Sequence, residues 1–81
     1  MEIIGFIQAT TEEGFEHEEE ISIYLEQIDG EPVSNQDKYL VIRDGLQAGV
    51  LSTYASWLLT LSNDKGVVAY FESDGTVEFP H

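Results

Sequence analysis

The chain has no cysteine, two prolines and three basic residues, Lys38, Arg43 and Lys65. Without cysteine there is no disulfide framework and no cysteine-based zinc or redox centre. With so few cations, direct binding to DNA, RNA or an anionic membrane is not expected, because phosphate contacts rest on Lys and Arg. No apolar run approaches the roughly 18–20 residues of a membrane-spanning helix. Met1-Glu2-Ile3-Ile4 lacks the basic start of a signal peptide, which points to the cytosol. G-x-S-x-G, P-loop and G-x-G-x-x-G patterns are also missing. No enzyme activity and no cofactor are therefore expected.

What is present is acid. The 81 residues include 16 Asp and Glu, for a formal net charge of −13. Yet 42% of residues are hydrophobic and 11% aromatic, too many for a disordered acidic tail. The length suits a single domain over residues 1–81. The charge is uneven. Residues 1–37 hold 11 acids and no Lys or Arg, whereas residues 38–81 hold five acids and three bases. Six of the nine residues from 12 to 20 are Glu. Such asymmetry places a negative field on one side of the molecule.

Hydrophobic periodicity gives a coarse fold. Residues 2–10 read as a strand with two apolar faces, Ile3, Ile7 and Ala9 against Ile4 and Phe6. Residues 11–17 read as a loop. Residues 18–28 alternate, with Ile21, Ile23 and Leu25 on one side and Glu18, Glu20, Ser22, Tyr24 and Glu26 on the other. Asp29-Gly30-Glu31-Pro32 is a turn signal. Residues 38–43 read as a third strand. Asp44 then suits a helix N-cap, and Leu46, Val50, Leu51, Tyr54, Trp57, Leu58 and Leu61 recur at three- and four-residue steps. Residues 67–72 and 76–79 form a hairpin around Ser73-Asp74-Gly75. The expected class is α+β in the order β-β-β-α-β-β, an antiparallel-rich sheet with one amphipathic helix on one face.

Two features of this expected fold suggest an interface. The helix would carry no charge from residue 45 to residue 63, leaving Gln47, Ser52, Thr53, Ser56 and Thr60 as a smooth oligomer face, or simply a polar surface. One helix also covers only one face of a sheet. Apolar residues on both faces imply a strongly curled sheet, a homodimer or a partner surface.

The chemistry-bearing candidates are acidic. On an extended strand Glu16, Glu18 and Glu20 would form a row of carboxylates about 6.6 Å apart. Glu12, Glu13, Glu19, Glu26, Asp29 and Glu31 extend the patch, and Phe15 and Tyr24 would anchor it by buried area. The bland alternatives are a solvated charge run, a Phe15 folded over the core and a half-exposed Tyr24. His17 and Glu19 face away from the other carboxylates, so no metal cage is expected. Tyr54 and Trp57 read as core.

In size, charge and α+β scaffold the chain resembles the small acidic proteins of phages and mobile elements that block nucleic-acid-handling enzymes: anti-CRISPR, anti-restriction and DNA-mimic proteins. That resemblance carries no shared motif, and so no residue roles. It implies an inhibitor that occupies the basic groove of a nuclease or another nucleic-acid-binding complex. The alternatives are an immunity protein or antitoxin for a basic toxin, or an oligomeric assembly protein whose acidic face only confers solubility.

Overall fold

The computed structural model describes residues 2–24 and 34–80. Among the described residues it is an α+β fold with one five-stranded antiparallel sheet and one α-helix. In chain order the elements are β1 (Glu2–Thr11), β2 (Glu16–Tyr24), α1 (Asn35–Ala48), a 3-10 turn (Val50–Thr53), β3 (Tyr54–Asn63), β4 (Gly66–Glu72) and β5 (Val77–Glu78). The spatial order is β2-β1-β3-β4-β5. The sheet is open, with β2 and β5 at its edges among the described residues, so it does not close on itself.

β1 and β2 lie close to where alternation places them. Their register runs from Glu2 opposite Tyr24 to Thr10 opposite Glu16. The hairpin closes tightly. Thr11 N–H donates to Phe15 O at 2.8 Å, Phe15 N–H donates to Thr11 Oγ1 at 3.0 Å, and Gly14 takes φ 91°, a backbone region open mainly to glycine. Residues 25–28 of the expected second strand, and the turn signal at 29–32, lie outside the described residues.

The element order differs from expectation in the middle of the chain. Residues 38–43 are helical, not a third strand. The helix starts at Ser34, whose Oγ accepts the Asp37 N–H at 3.2 Å, and not at Asp44. Asp37 lies in its first turn, where the helix dipole favours an anion. Tyr39 and Ile42 are buried, while Val41 is 51% exposed. That three-residue step is the helical pattern. Asp44 lies inside α1, where its Oδ1 accepts from Arg43 Nε at 2.8 Å.

The segment expected as the later part of a helix is mostly β3. Trp57, Leu59 and Leu61 alternate inward, and β3 pairs with β1 on one side and β4 on the other. Its central position satisfies the backbone on both sides, and tertiary pairing overrides the helical spacing of its apolar residues. The observed order is therefore β-β-α-β-β-β.

The core sits between α1 and one sheet face. It contains Ile3, Ile7, Ala9, Tyr39, Ile42, Leu51, Trp57, Leu59, Leu61, Ala69 and Phe71. Phe71 is central to it. The Phe79 ring meets Phe71 edge-on at 6.1 Å, and the Arg43 guanidinium lies 5.3 Å from the Phe71 ring centre. No helix among the described residues is long and apolar enough to cross a membrane.

Candidate functional site

Strand alternation divides the sheet into two unlike faces. The odd-numbered residues of β1 from Ile3 to Ala9 point into the core, so Glu2, Ile4, Phe6, Gln8 and Thr10 point the other way. Register carries that face across the sheet. On β2 it is Glu16, Glu18, Glu20, Ser22 and Tyr24. On β3 it is Ser56, Leu58, Thr60 and Ser62. Tyr70 and Glu72 of β4 and Glu78 of β5 complete it. None of these residues is buried.

This open face is organised in rows. One runs Glu20, Phe6, Thr60, Tyr70, Glu78 across all five strands. At about 4.8 Å between strands its terminal carboxylates are anchored roughly 19 Å apart. The next runs Glu18, Gln8, Leu58, Glu72. In the centre Ile4, Phe6, Leu58 and Tyr70 are half-buried and apolar or aromatic, with Thr60 and Ser62 among them and Gln8 exposed, while carboxylates stand along both sides. Along β2, Glu16, Glu18 and Glu20 repeat about every 6.8 Å.

No Lys or Arg stands on this face. Lys38 and Arg43 belong to α1 on the other side of the sheet, and Lys65 lies in the β3–β4 turn. The Arg43 guanidinium pairs with Asp44 and covers Phe71. The molecule is electrostatically two-sided, with the acidic face turned away from the helix.

The hairpin tip carries Glu12, Glu13 and Phe15. Phe15 is 69% exposed, so its side chain is not folded over the core. Tyr24 is 48% exposed at the far end of β2. Glu19 lies on the opposite sheet face. Its Oε2 accepts the Tyr54 hydroxyl at 3.5 Å and lies 3.8 Å from His17 Nε2. The His17 and Tyr54 rings stack at 5.6 Å. Burial pushes the Tyr54 phenol above its ordinary value, and Glu19 pushes it further by its charge and its hydrogen bond. Among the described residues no three His, Asp or Glu side chains gather as a metal site.

The structure therefore brings Glu16, Glu18, Glu20 and Tyr24 onto one face, with Glu12, Glu13 and Phe15 at its hairpin end. Glu19 points away. Glu26, Asp29 and Glu31 lie outside the described residues. The five residues expected as an oligomer face do not share a helix. Gln47 is in α1, Ser52 and Thr53 are in the 3-10 turn, and Ser56 and Thr60 are on β3. Ser56 and Thr60 instead join the acidic face. Sequence reasoning missed Glu2, Glu72 and Glu78 as members of that face. For Glu2 and Glu72 the signal available was the second apolar stripe of Ile4, Phe6 and Tyr70 on the same strands; for Glu78 there was none. No protein-family model, curated protein or solved structure matches the chain.

Proposed function

We propose that this protein is a small acidic inhibitor that occupies the basic, nucleic-acid-binding surface of a nuclease or another nucleic-acid-handling complex, in the cytoplasm of a bacterial host. The observation that carries this reading is the open sheet face. It holds Glu2, Glu16, Glu18, Glu20, Glu72 and Glu78 without a Lys or Arg. A groove that binds phosphates with Lys and Arg also accepts carboxylates. The regular spacing on β2 offers such a groove a row of acceptors. Phe6, Leu58 and Tyr70 supply apolar area in the centre, so the contact is not charge alone. Inhibition follows from occupancy and needs no chemistry by this chain. Long-range attraction speeds encounter, and salt weakens it.

The test is competition. The protein is immobilised and challenged with nucleases and other nucleic-acid-binding complexes at low and near-molar salt, with duplex DNA or RNA as competitor. The expected result is retention of a basic target that nucleic acid displaces and salt weakens. The triple variant Glu16→Lys, Glu18→Lys, Glu20→Lys, folded by circular dichroism, should lose at least about tenfold in affinity, by the steep dependence of such contacts on charge. Retention indifferent to both nucleic acid and charge reversal would overturn the reading.

A further inference from the structure

We infer that the outer edge of β2 accepts an extended segment of a partner protein as a sixth strand, with Lys or Arg at alternate positions. The inference rests on the proposed reading for the partner's charge, and it adds the backbone geometry that holds the partner. β2 stands at one end of the sheet and pairs with β1 on one side. Among the described residues, no strand pairs with its other side. An edge of this kind presents a row of backbone N–H and C=O groups to any strand that approaches. β2 is nine residues long, against a usual five or six, whereas β5 at the opposite edge has two. Among the described residues, only β2 offers a full template.

Long edges are ordinarily blunted by Lys, Pro or a bulge. β2 has no Lys or Pro, and its register with β1 runs through nine consecutive pairs without a shift. Its guard is negative charge, from Glu16, Glu18, Glu19 and Glu20. Two copies joined along this edge would bring two such sets together, so the edge disfavours its own copies. A basic strand removes that repulsion.

Side chains on the added strand alternate as those on β2 do. Those on the open side stand about 4.8 Å from Glu16, Glu18 and Glu20. Those on the other side, toward the Tyr24 end, cover Ile21 and Ile23, which are half-buried against the core. The occupant therefore has a pattern, Lys or Arg alternating with β-branched or apolar residues. Main-chain hydrogen bonds hold it, and the alternation selects it.

The probe is a nine-residue peptide alternating Lys and Thr, beside its fully N-methylated counterpart of equal charge and length. Affinities are measured at low salt, and amide hydrogen exchange of the protein is followed by NMR. The expected result is binding at least about tenfold tighter for the unmethylated peptide, consistent with the loss of several hydrogen bonds, with slowed exchange at β2 and none at β4 or β5. Equal binding of both peptides would overturn strand addition and leave the basic-partner reading standing. Failure of both to bind would also overturn it, while the proposed function would fall only if nucleic acid failed to compete for the target.

Discussion

Tyr54 lies where strand β3 emerges from the 3-10 turn, with Glu19 and His17 beside it. Burial first, and the Glu19 carboxylate second, raise its phenol above 10.0. An ultraviolet titration should place this ionisation above the ordinary tyrosine value, and Glu19→Gln should lower it part of the way back. An unchanged midpoint in that variant would show that the carboxylate does not act on Tyr54. The folded chain holds this proton more tightly than the unfolded chain. Its contribution to stability is thus complete below about 10 and fades as pH rises past the folded value. Asp74 has the opposite sign. The Thr76 hydroxyl first, and the Thr76 N–H at 2.9 Å second, hold its carboxyl below 3.8. That contribution is present above 3.8 and is lost as pH falls through the lower folded value. Thr76→Val keeps the backbone donor and removes the hydroxyl. The Asp74 carboxyl, followed by NMR, should then titrate closer to 3.8, and no movement would count against the hydroxyl.

At the scale of elements, α1 depends on its start. Ser34 accepts the Asp37 N–H, so Ser34→Ala should cost about 1 kcal/mol, read as a lower urea midpoint at unchanged slope. Ser34→Asp should retain most of the stability, because it keeps the accepting oxygen. Equal stability of Ser34→Ala and the parent would show that the cap contributes nothing. In the sheet, Phe71 is fully buried and supports Phe79 on one side and Arg43 on another. Phe71→Ala should cost about 3–5 kcal/mol. A domain of this length holds only about 4–12 kcal/mol in total, so the variant should be unfolded or marginal in thermal melts. These same elements are where sequence patterns mislead. In residues 38–43 the β-branched Val41 and Ile42 imitate a strand, although Tyr39, Ile42 and Leu46 already mark a helical stripe. In residues 54–61, Tyr54, Trp57, Leu58 and Leu61 imitate a helix, although Trp57, Leu59 and Leu61 alternate with Ser56, Thr60 and Ser62.

At the scale of the molecule, a net charge of −13 on 81 residues opposes the compact state. The three bases do not relieve the open face, because two lie on α1 and one in a turn. Added salt shortens the reach of repulsion from about 10 Å at 0.1 M to about 3 Å at 1 M. The melting temperature should therefore rise with sodium chloride. It should rise less for Glu16→Gln, Glu18→Gln, Glu20→Gln combined, which removes the densest row. A melting temperature that fell with salt would mean that attractive pairs, and not repulsion, dominate the field. On the proposed function, the same two-sidedness would turn the acidic face toward the basic partner and leave the helix behind.

Some of this was legible from residues alone because it depends on local pattern or on simple counts. The α+β class, the first two strands, the β4–β5 hairpin and, given an extended stretch, the row Glu16, Glu18, Glu20 follow from two-residue alternation and turn chemistry; the pairing of β1 with β2 does not. The excess of acid in the first half follows from counting. What only tertiary structure decided is which of two near-equal local patterns prevailed in residues 38–61, and which residues share a face. β3 is a strand because it lies between β1 and β4, where both backbone edges are paired and Leu59 and Leu61 are buried. That placement turns Ser56 and Thr60 from an imagined helix surface into part of the acidic face. It also brings Glu72 and Glu78, more than fifty residues along the chain from Glu18 and Glu20, into the same cross-strand rows. Register over such a separation is set by the packing of the whole sheet, and no local window of the chain contains it.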